Sequence, residues 1–215
     1  MHISDLRTIF ESDIIDYQQL VNALKNYKKP RDKITRLLSK GDLVRIRKGL
    51  YIFGEKWRRR PIDRYLMANL IYGPSHVSFE SALSHYGLIP ERVESVTSAT
   101  TGKGKRFITP LGLFTYQHQP TNYYTKGVTL EERSWGNVLL GTPEKALTDK
   151  LLVDRSAKIK DQEELERYLV EDLRIDQTQL QKMDVPRLQK IAQASQSAVL
   201  PLLVQCVKKM KSKKQ

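Results

Sequence analysis

One stretch decides the fold of the N-terminal part: Pro30-Arg-Asp-Lys-Ile-Thr-Arg-Leu-Leu-Ser-Lys-Gly-Asp-Leu-Val-Arg-Ile-Arg-Lys-Gly-Leu-Tyr-Ile-Phe53. Its first half has apolar residues at helical spacing, opens with a proline suited to a first helical turn and ends at Gly41. Its second half contains two short apolar segments joined by residues 47–49, which is typical of a β-hairpin. The stretch therefore predicts a helix over residues 31–40 followed by two strands.

Two further helices are predicted before this stretch. Ile3, Leu6, Ile9 and Phe10 recur at helical spacing in the first, and Asp16 is placed to cap a second one. Three helices followed by a basic hairpin form a winged helix-turn-helix, in which the third helix enters a groove of DNA. We predict that residues 1–60 are such a DNA-binding domain.

The positive charge of the chain is unevenly distributed. The net charge is +13, and residues 1–60 hold fifteen Lys/Arg against seven Asp/Glu. Residues 208–215 add five lysines and no acid, whereas residues 61–207 hold seventeen of each sign. A basic module beside a neutral body favours nucleic acid as the partner. The lysine tail alone is interpreted as a solvated end.

Arg36 lies almost opposite the buried stripe of the predicted third helix. An arginine there can donate two hydrogen bonds to the edge of a guanine, while cations at the margins meet phosphates. Strict alternation along the first strand of the hairpin places Arg45 and Arg47 on one face. The predicted recognition-helix contacts are Arg31, Lys33, Thr35, Arg36, Ser39 and Lys40, and the predicted wing and backbone contacts are Lys28, Lys29, Arg45, Arg47, Lys48, Arg58, Arg59 and Arg60.

The sequence of residues 61–215 predicts a mixed α/β domain with a helical C-terminal end. The predicted fold class of the whole chain is therefore α+β. Helices are expected over about residues 62–72 and from Ser78 to Gly87, and a third begins at Thr142. Strands are expected over 95–101, 106–108, 113–117, 127–130 and 135–140. No apolar run is long enough for a membrane span, no signal peptide is visible and Cys206 is the single cysteine, so we expect a cytoplasmic protein.

An enzyme is the main rival interpretation. Glu131-Glu132 or Glu144-Lys145 with Asp149-Lys150 could contribute to a metal-dependent nuclease site. We instead interpret Lys145 and Asp149 as an exposed ion pair on one helix, worth ~0.3 kcal/mol. The histidines lack the spacing of a metal site and are expected in turns or on helix surfaces. We expect no catalytic residue, no metal and no cofactor.

RNA binding or processing is the second alternative. Tyr116, Tyr123, Tyr124 and Trp135 could form a stacking platform for single-stranded RNA, although aromatic residues in strands are more often core. The segment 102–106, Gly-Lys-Gly-Lys-Arg, is predicted to be a basic hairpin turn that could be a second contact to nucleic acid.

Four segments together resemble the AbiEi family, the antitoxins of abortive-infection AbiE systems. They are Val44–Tyr51, Ile71–Pro90, Pro110–Tyr116 and Gly141–Leu152, in family order. The resemblance implies a winged helix that represses its own operon at inverted repeats and a C-terminal antitoxin domain over residues 61–215. It also implies a nucleotidyltransferase-like toxin as partner, in a type IV pair that need not form a stable complex. Because one winged helix covers little duplex, we expect two copies on an inverted repeat.

Overall fold

The computed structural model describes residues 2–134, 136–154 and 159–212. Trp135, predicted to begin a strand and to offer a stacking surface, lies outside the described residues, as do Lys213 and Lys214 of the lysine tail. The fold is mixed α+β, as predicted, with one three-stranded and one six-stranded sheet. The described helices include no segment with both the length and the apolar character of a membrane span.

Three helices and a small antiparallel sheet make up the first 53 residues. The elements are α1 (Ile3–Ile9), β1 (Ile14–Asp16), α2 (Tyr17–Ala23), α3 (Pro30–Ser39), β2 (Leu43–Arg47) and β3 (Leu50–Phe53), and the strand order is β1-β3-β2. The predicted third helix and hairpin are therefore present. Strand β1 was missed, because three residues are too few to show a period-two pattern.

Local sequence explains where these helices begin and end. The Asp16 side chain accepts a hydrogen bond from the Gln19 N–H at 2.8 Å, and the Gln19 side chain accepts one from the Asp16 N–H at 2.9 Å. This reciprocal pair caps α2. Pro30 is the first residue of α3, and Gly41, with a φ of 72°, follows its end in the left-handed conformation that favours glycine.

Strand β3 separates two hydrophobic cores. Tyr51 and Phe53 pack with α1, α2 and α3 in the smaller core. Leu50 and Ile52, on the other face of the strand, join the larger core formed by the rest of the chain. The small sheet is thus covered on both faces, and apolar packing crosses the boundary predicted at residue 60.

The larger core is built on a mixed six-stranded sheet of order β6-β7-β5-β4-β9-β8, in which β5 runs parallel to β7 and β4 parallel to β9. All five predicted strands are present within a few residues, while β4 was not indicated by the sequence pattern. The elements are α4 (Arg64–Ile71), β4 (Ser75–Val77), α5 (Phe79–His85), β5 (Val96–Thr100), β6 (Lys105–Thr109), β7 (Gly112–His118), α6 (Thr121–Tyr124), β8 (Val128–Arg133), β9 (Gly136–Gly141) and α7 (Pro143–Val153).

Helices complete the C-terminal end, as predicted. They are α8 (Gln162–Arg167), continued by a π-helical turn (Tyr168–Asp172), α9 (Gln177–Lys182), α10 (Val185–Gln193) and α11 (Val199–Ser212). Helix α11 buries Leu203, Cys206 and Val207 among the other helices. The thiol is fully enclosed, and burial raises its pKa to about 11, so it is an inert packing group.

Candidate nucleic-acid interface

The outer face of α3 is open to solvent. Ile34 and Leu37 are buried against the smaller core, whereas Arg36 on the opposite side is exposed. The hydroxyl groups of Thr35 and Ser39 donate to carbonyls of their own helix, at 3.1 and 2.9 Å, which leaves their oxygens free to accept from a ligand. Helix α3 therefore presents a short polar face with an arginine at its centre.

A groove of about 480 Å³ opens between α2 and the start of α3. Lys28 and Lys29 are exposed along it, and Arg31 Nε donates to the Tyr17 hydroxyl at 3.0 Å. Among the described residues, no side-chain hydrogen bond caps the start of α3. Lys33, by contrast, is half-buried and lies 5.7 Å from the ring centre of Tyr27. It is turned along the helix surface rather than outward.

The β2–β3 hairpin carries three exposed cations, Arg45, Arg47 and Lys48. The prediction that Arg45 and Arg47 share a face is wrong, because the pairing shifts between them: Arg45 lies opposite Tyr51, and Arg47 opposite Leu50. This bulge turns Arg47 towards α4, where its guanidinium donates to the Leu70 carbonyl at 3.2 Å. Arg45 and Lys48 remain the outward cations of the hairpin.

The segment Arg58–Arg60, which follows the small sheet, makes hydrogen bonds to other parts of the fold. The backbone N–H groups of Arg59 and Arg60 donate to the Asp13 carboxylate at 3.2 to 3.3 Å. The Arg59 guanidinium donates to the carbonyls of Arg7 and Glu11, both at 3.3 Å. Arg58 is half-buried. All three were predicted as phosphate contacts; the Arg59 side chain instead bonds carbonyls of residues 7 and 11, near the N-terminal end of the fold.

A second basic surface is formed by the segment 102–106, which the sequence had already indicated as a second contact to nucleic acid. Residues 95–130 contain four Lys/Arg and no Asp or Glu. Lys103, in the β5–β6 connection, and Lys105 and Arg106, at the start of β6, are exposed. The connection is not the hairpin turn that was predicted, because β7 lies between those two strands. Lys105 Nζ sits 4.5 Å from the ring centre of Tyr72, two residues beyond the Leu70 carbonyl that Arg47 contacts. The hairpin and this connection therefore border the same end of α4.

Comparison with known proteins identifies a similar fold. The chain is similar to the crystal structure of the RV2827C protein from Mycobacterium tuberculosis, with 16% sequence identity and a TM-score of 0.55. The match covers 98% of this chain and 79% of that one. No protein family model and no curated protein matches the chain. The likeness extends to the fold and carries no function across.

The predicted exposed ion pair is completely buried instead. Lys145 Nζ lies 2.9 Å from the Asp149 carboxylate, and neither side chain reaches solvent. Ser78 Oγ donates to Asp149 at 2.6 Å, and His76 Nε2 is 3.8 Å from it. Lys145 also donates to the Tyr123 carbonyl at 3.2 Å and lies 3.3 Å from the centre of its ring. Helix α7 is enclosed on nearly every side, which its sequence pattern did not indicate.

This buried cluster brings Ser, His, Asp and Lys together without an arrangement for nucleophilic catalysis. Ser78 bonds the carboxylate rather than the imidazole, and Ser78, His76 and Asp149 have no exposed surface. The other predicted acids are separated: Glu144 accepts from the Asp184 N–H at 2.7 Å, and Glu131 contacts His85 at 3.0 Å. Among the described ranges, no group of three His, Cys, Asp or Glu side chains could hold a metal ion.

Of the described aromatic residues considered for RNA stacking, two lie in the core, which was the favoured expectation. Tyr116 and Tyr123 are buried, their hydroxyls hydrogen-bonded to the Ala68 carbonyl and to Thr148. Tyr124 is half-buried, with its ring centre 4.7 Å from that of His76. His76, predicted on a turn or helix surface, is fully enclosed in β4.

Enclosure of His76 predicts acid sensitivity. Burial lowers the pKa of His76 below 6.5, although the nearby Asp149 opposes the shift. The folded state keeps the imidazole neutral while the unfolded chain takes up a proton below about pH 6.5, so stability present above that pH is lost as the pH falls. We expect the free energy of unfolding to drop by at most about 1.4 kcal/mol per pH unit from this group.

Urea unfolding at several pH values between 7.5 and 5 measures this slope. His76→Gln should flatten it, because the variant has no imidazole at this buried position. If the free energy of unfolding depends on pH as steeply in His76→Gln as in wild type, His76 is not the cause of the acid sensitivity.

Proposed function

We propose that residues 1–60 form a winged helix-turn-helix that binds duplex DNA, with α3 as the recognition helix and the β2–β3 hairpin as the wing. The exposed outer face of α3, with Arg36 at its centre, is the observation that carries this proposal. A single helix fits the major groove, and an arginine there can pair with a guanine through two hydrogen bonds. The uncapped start of α3 and the lysines beside it suit a phosphate.

The geometry refines the set of contacts. We assign the reading of DNA bases to exposed residues of α3 and contact with the DNA phosphates to the exposed cations around that helix. Arg47 and Arg59 are removed from the set because their guanidinium groups already donate to backbone carbonyls. Lys33 and Arg58 are removed because they are half-buried. The proposed base-reading residues are Arg31, Thr35, Arg36, Ser39 and Lys40, and the proposed phosphate contacts are Lys28, Lys29, Arg45, Lys48, Arg60, Lys103, Lys105 and Arg106.

Lys48→Ala tests the wing. A phosphate contact is blind to sequence, so the variant should bind all duplexes more weakly and lower the slope of log K against log salt by about 0.9. Lys190→Ala, which removes an exposed lysine of α10, is the matched control and should behave like wild type. Fluorescence anisotropy at four salt concentrations gives both slopes. Equal slopes for the two variants would remove Lys48 from the interface.

Lys103→Ala combined with Arg106→Ala tests the second basic surface. If both cations meet phosphates, the salt slope falls by about 1.8 while the order of preference among duplex sequences is kept. The same anisotropy series, run on a preferred and a scrambled duplex, measures both quantities. An unchanged slope would confine the interface to the first 60 residues.

We further propose that the chain is the antitoxin of an abortive-infection toxin–antitoxin operon, repressing that operon as two copies on an inverted repeat. The AbiEi-like segments support this proposal, and residues 61–215 would be the antitoxin domain. Co-expression with a nucleotidyltransferase-like toxin encoded beside it should restore growth. Arg36→Ala should still restore growth but lose repression of a reporter. Failure of the wild-type chain to restore growth would refute the antitoxin role and leave the DNA-binding proposal to be judged separately.

A further inference from the structure

The six-stranded sheet has two open edges, β6 and β8. Among the described strands, β6 pairs with β7 alone and β8 pairs with β9 alone. In an antiparallel ladder the backbone N–H and C=O groups of a strand point alternately to its two sides. About half of these groups in β6 and in β8 therefore point away from the sheet, where a strand of another chain can pair with them.

The two most exposed large apolar side chains of the described residues lie on these two edge strands. Ile108 on β6 is 85% exposed, and Leu130 on β8 is 56% exposed. Phe107 packs against the larger core, so Ile108 points to the other face of the sheet. The register of the strand pairs places Leu130 on the same face as Ile108. Each open edge thus carries one unburied apolar group on a common face.

The exposed charges beside these two groups have opposite signs. Arg106 lies two residues before Ile108, and Glu132 lies two residues after Leu130, so each shares a face with its apolar neighbour. Both charged side chains are exposed. In an antiparallel pair, setting Ile108 opposite Leu130 also sets Arg106 opposite Glu132. One register therefore joins the apolar groups and the opposite charges, and both kinds of cross-strand pair stabilise a sheet.

The strand directions permit this pairing between two copies of the chain. Three of the five ladders in the sheet are antiparallel, so β6 and β8 run in opposite directions within one chain. A second copy placed beside the first in the same orientation brings its β6 antiparallel to β8 of the first. The face that carries Ile108 and the face that carries Leu130 then lie on the same side of the joined sheets.

We propose that the chain associates head to tail, with β6 of one copy added to β8 of the next. Ile108 then contacts Leu130 of the neighbouring copy, and Arg106 pairs with Glu132. Pairing β6 with a second β6 would bring basic strands together, and pairing β8 with a second β8 would bring acidic ones together. A head-to-tail contact leaves one open edge at each end, so further copies can add.

This inference does not depend on DNA binding. Neighbours in such an assembly share an orientation, whereas two copies on an inverted repeat are related by a two-fold axis, so the two arrangements use different contacts. Arg106 is also a proposed phosphate contact, and its five N–H donors allow a guanidinium to meet a carboxylate and a phosphate together. We expect weak association, because two edge strands bury less surface than stable complexes do and the net charge of +13 opposes contact.

Analytical ultracentrifugation of the full chain, up to its solubility limit, tests the proposal. At an ionic strength of about 0.15 M, charges more than about 8 Å apart are largely screened while a close pair still attracts. The average mass should rise with concentration from the 24.9 kDa of one chain and pass twice that value. A mass that stays at 24.9 kDa throughout would overturn the inference.

Two variants, each blocking one edge, distinguish the head-to-tail contact from a symmetric one. Ile108→Asp places a carboxylate near Glu132 of the next copy, and Leu130→Lys places an ammonium near Arg106. Either variant alone should associate at least about 10-fold more weakly than wild type. A mixture of the two should associate again, because one variant keeps an intact β8 and the other an intact β6.

Both positions are exposed, so the variants should keep the fold, which their melting temperatures check. Ile9→Asp changes an apolar residue of α1 that is 52% exposed, and it should associate like wild type. Equal weakening by Ile9→Asp would overturn the assignment to the sheet edges. Undiminished association of Leu130→Lys alone would replace the proposal with a β6–β6 contact, and undiminished association of Ile108→Asp alone would replace it with a β8–β8 contact.

Discussion

Replacing Asp149 with alanine is expected to lower the free energy of unfolding by about 3–5 kcal/mol, because the change leaves the buried Lys145 ammonium without its counter-charge. The carboxylate also accepts from Ser78 at 2.6 Å, so a second buried group loses its partner. Burial alone would raise the pKa of Asp149, but His76, the charge of Lys145 and the Ser78 hydrogen bond together hold it below its usual range. The carboxylate is therefore charged in the folded protein.

Urea unfolding at pH 7.5 measures the effect, and a double variant separates its causes. Lys145→Met with Asp149→Leu removes both charges and should be less destabilised than Asp149→Ala, because no unpaired charge stays inside. A loss near the ~0.3 kcal/mol of an exposed pair in Asp149→Ala would contradict the buried arrangement. Lys150→Ala provides a comparison, because the Lys150 ammonium pairs with Glu80 and Asp154, each at 2.9 Å, closer to the surface. This variant should lower the free energy of unfolding much less.

Arg36→Ala should weaken binding to a preferred duplex by about 1–3 kcal/mol, roughly 5- to 150-fold, and relax the preference for one base pair. The reason is that Arg36 is the exposed centre of α3, where its guanidinium can reach a guanine edge. Arg36→Lys should recover less than half of this loss in free energy, because an ammonium cannot reproduce the planar two-donor contact.

A duplex selected from a random pool, with a scrambled duplex of the same length, provides the measurement. Arg92→Ala removes an exposed arginine outside the proposed interface and matches the change in net charge. If Arg36 reads a base, its removal affects the selected duplex much more than the scrambled one, and the control affects neither. Equal losses on both duplexes would reduce Arg36 to a phosphate contact.

The placement of the candidate interface residues was predicted well where local rules apply and poorly where distant segments meet. The exposed side of α3 follows from the 100° rotation per residue and the apolar stripe of Ile34 and Leu37. The direction of Arg47 does not follow from alternation, since a single bulge reverses it. The basic segment 102–106 was recognised from its sequence, but its assignment as a hairpin turn was wrong, because the strands that it joins are separated by β7.

The amino-acid sequence by itself determined the helices, their caps and most strands, since those depend on contacts between residues a few positions apart. It also determined that the excess positive charge lies at the two ends of the chain. Only the tertiary structure decided that Lys145 and Asp149 lie inside, because burial of a helix depends on what packs on each of its sides.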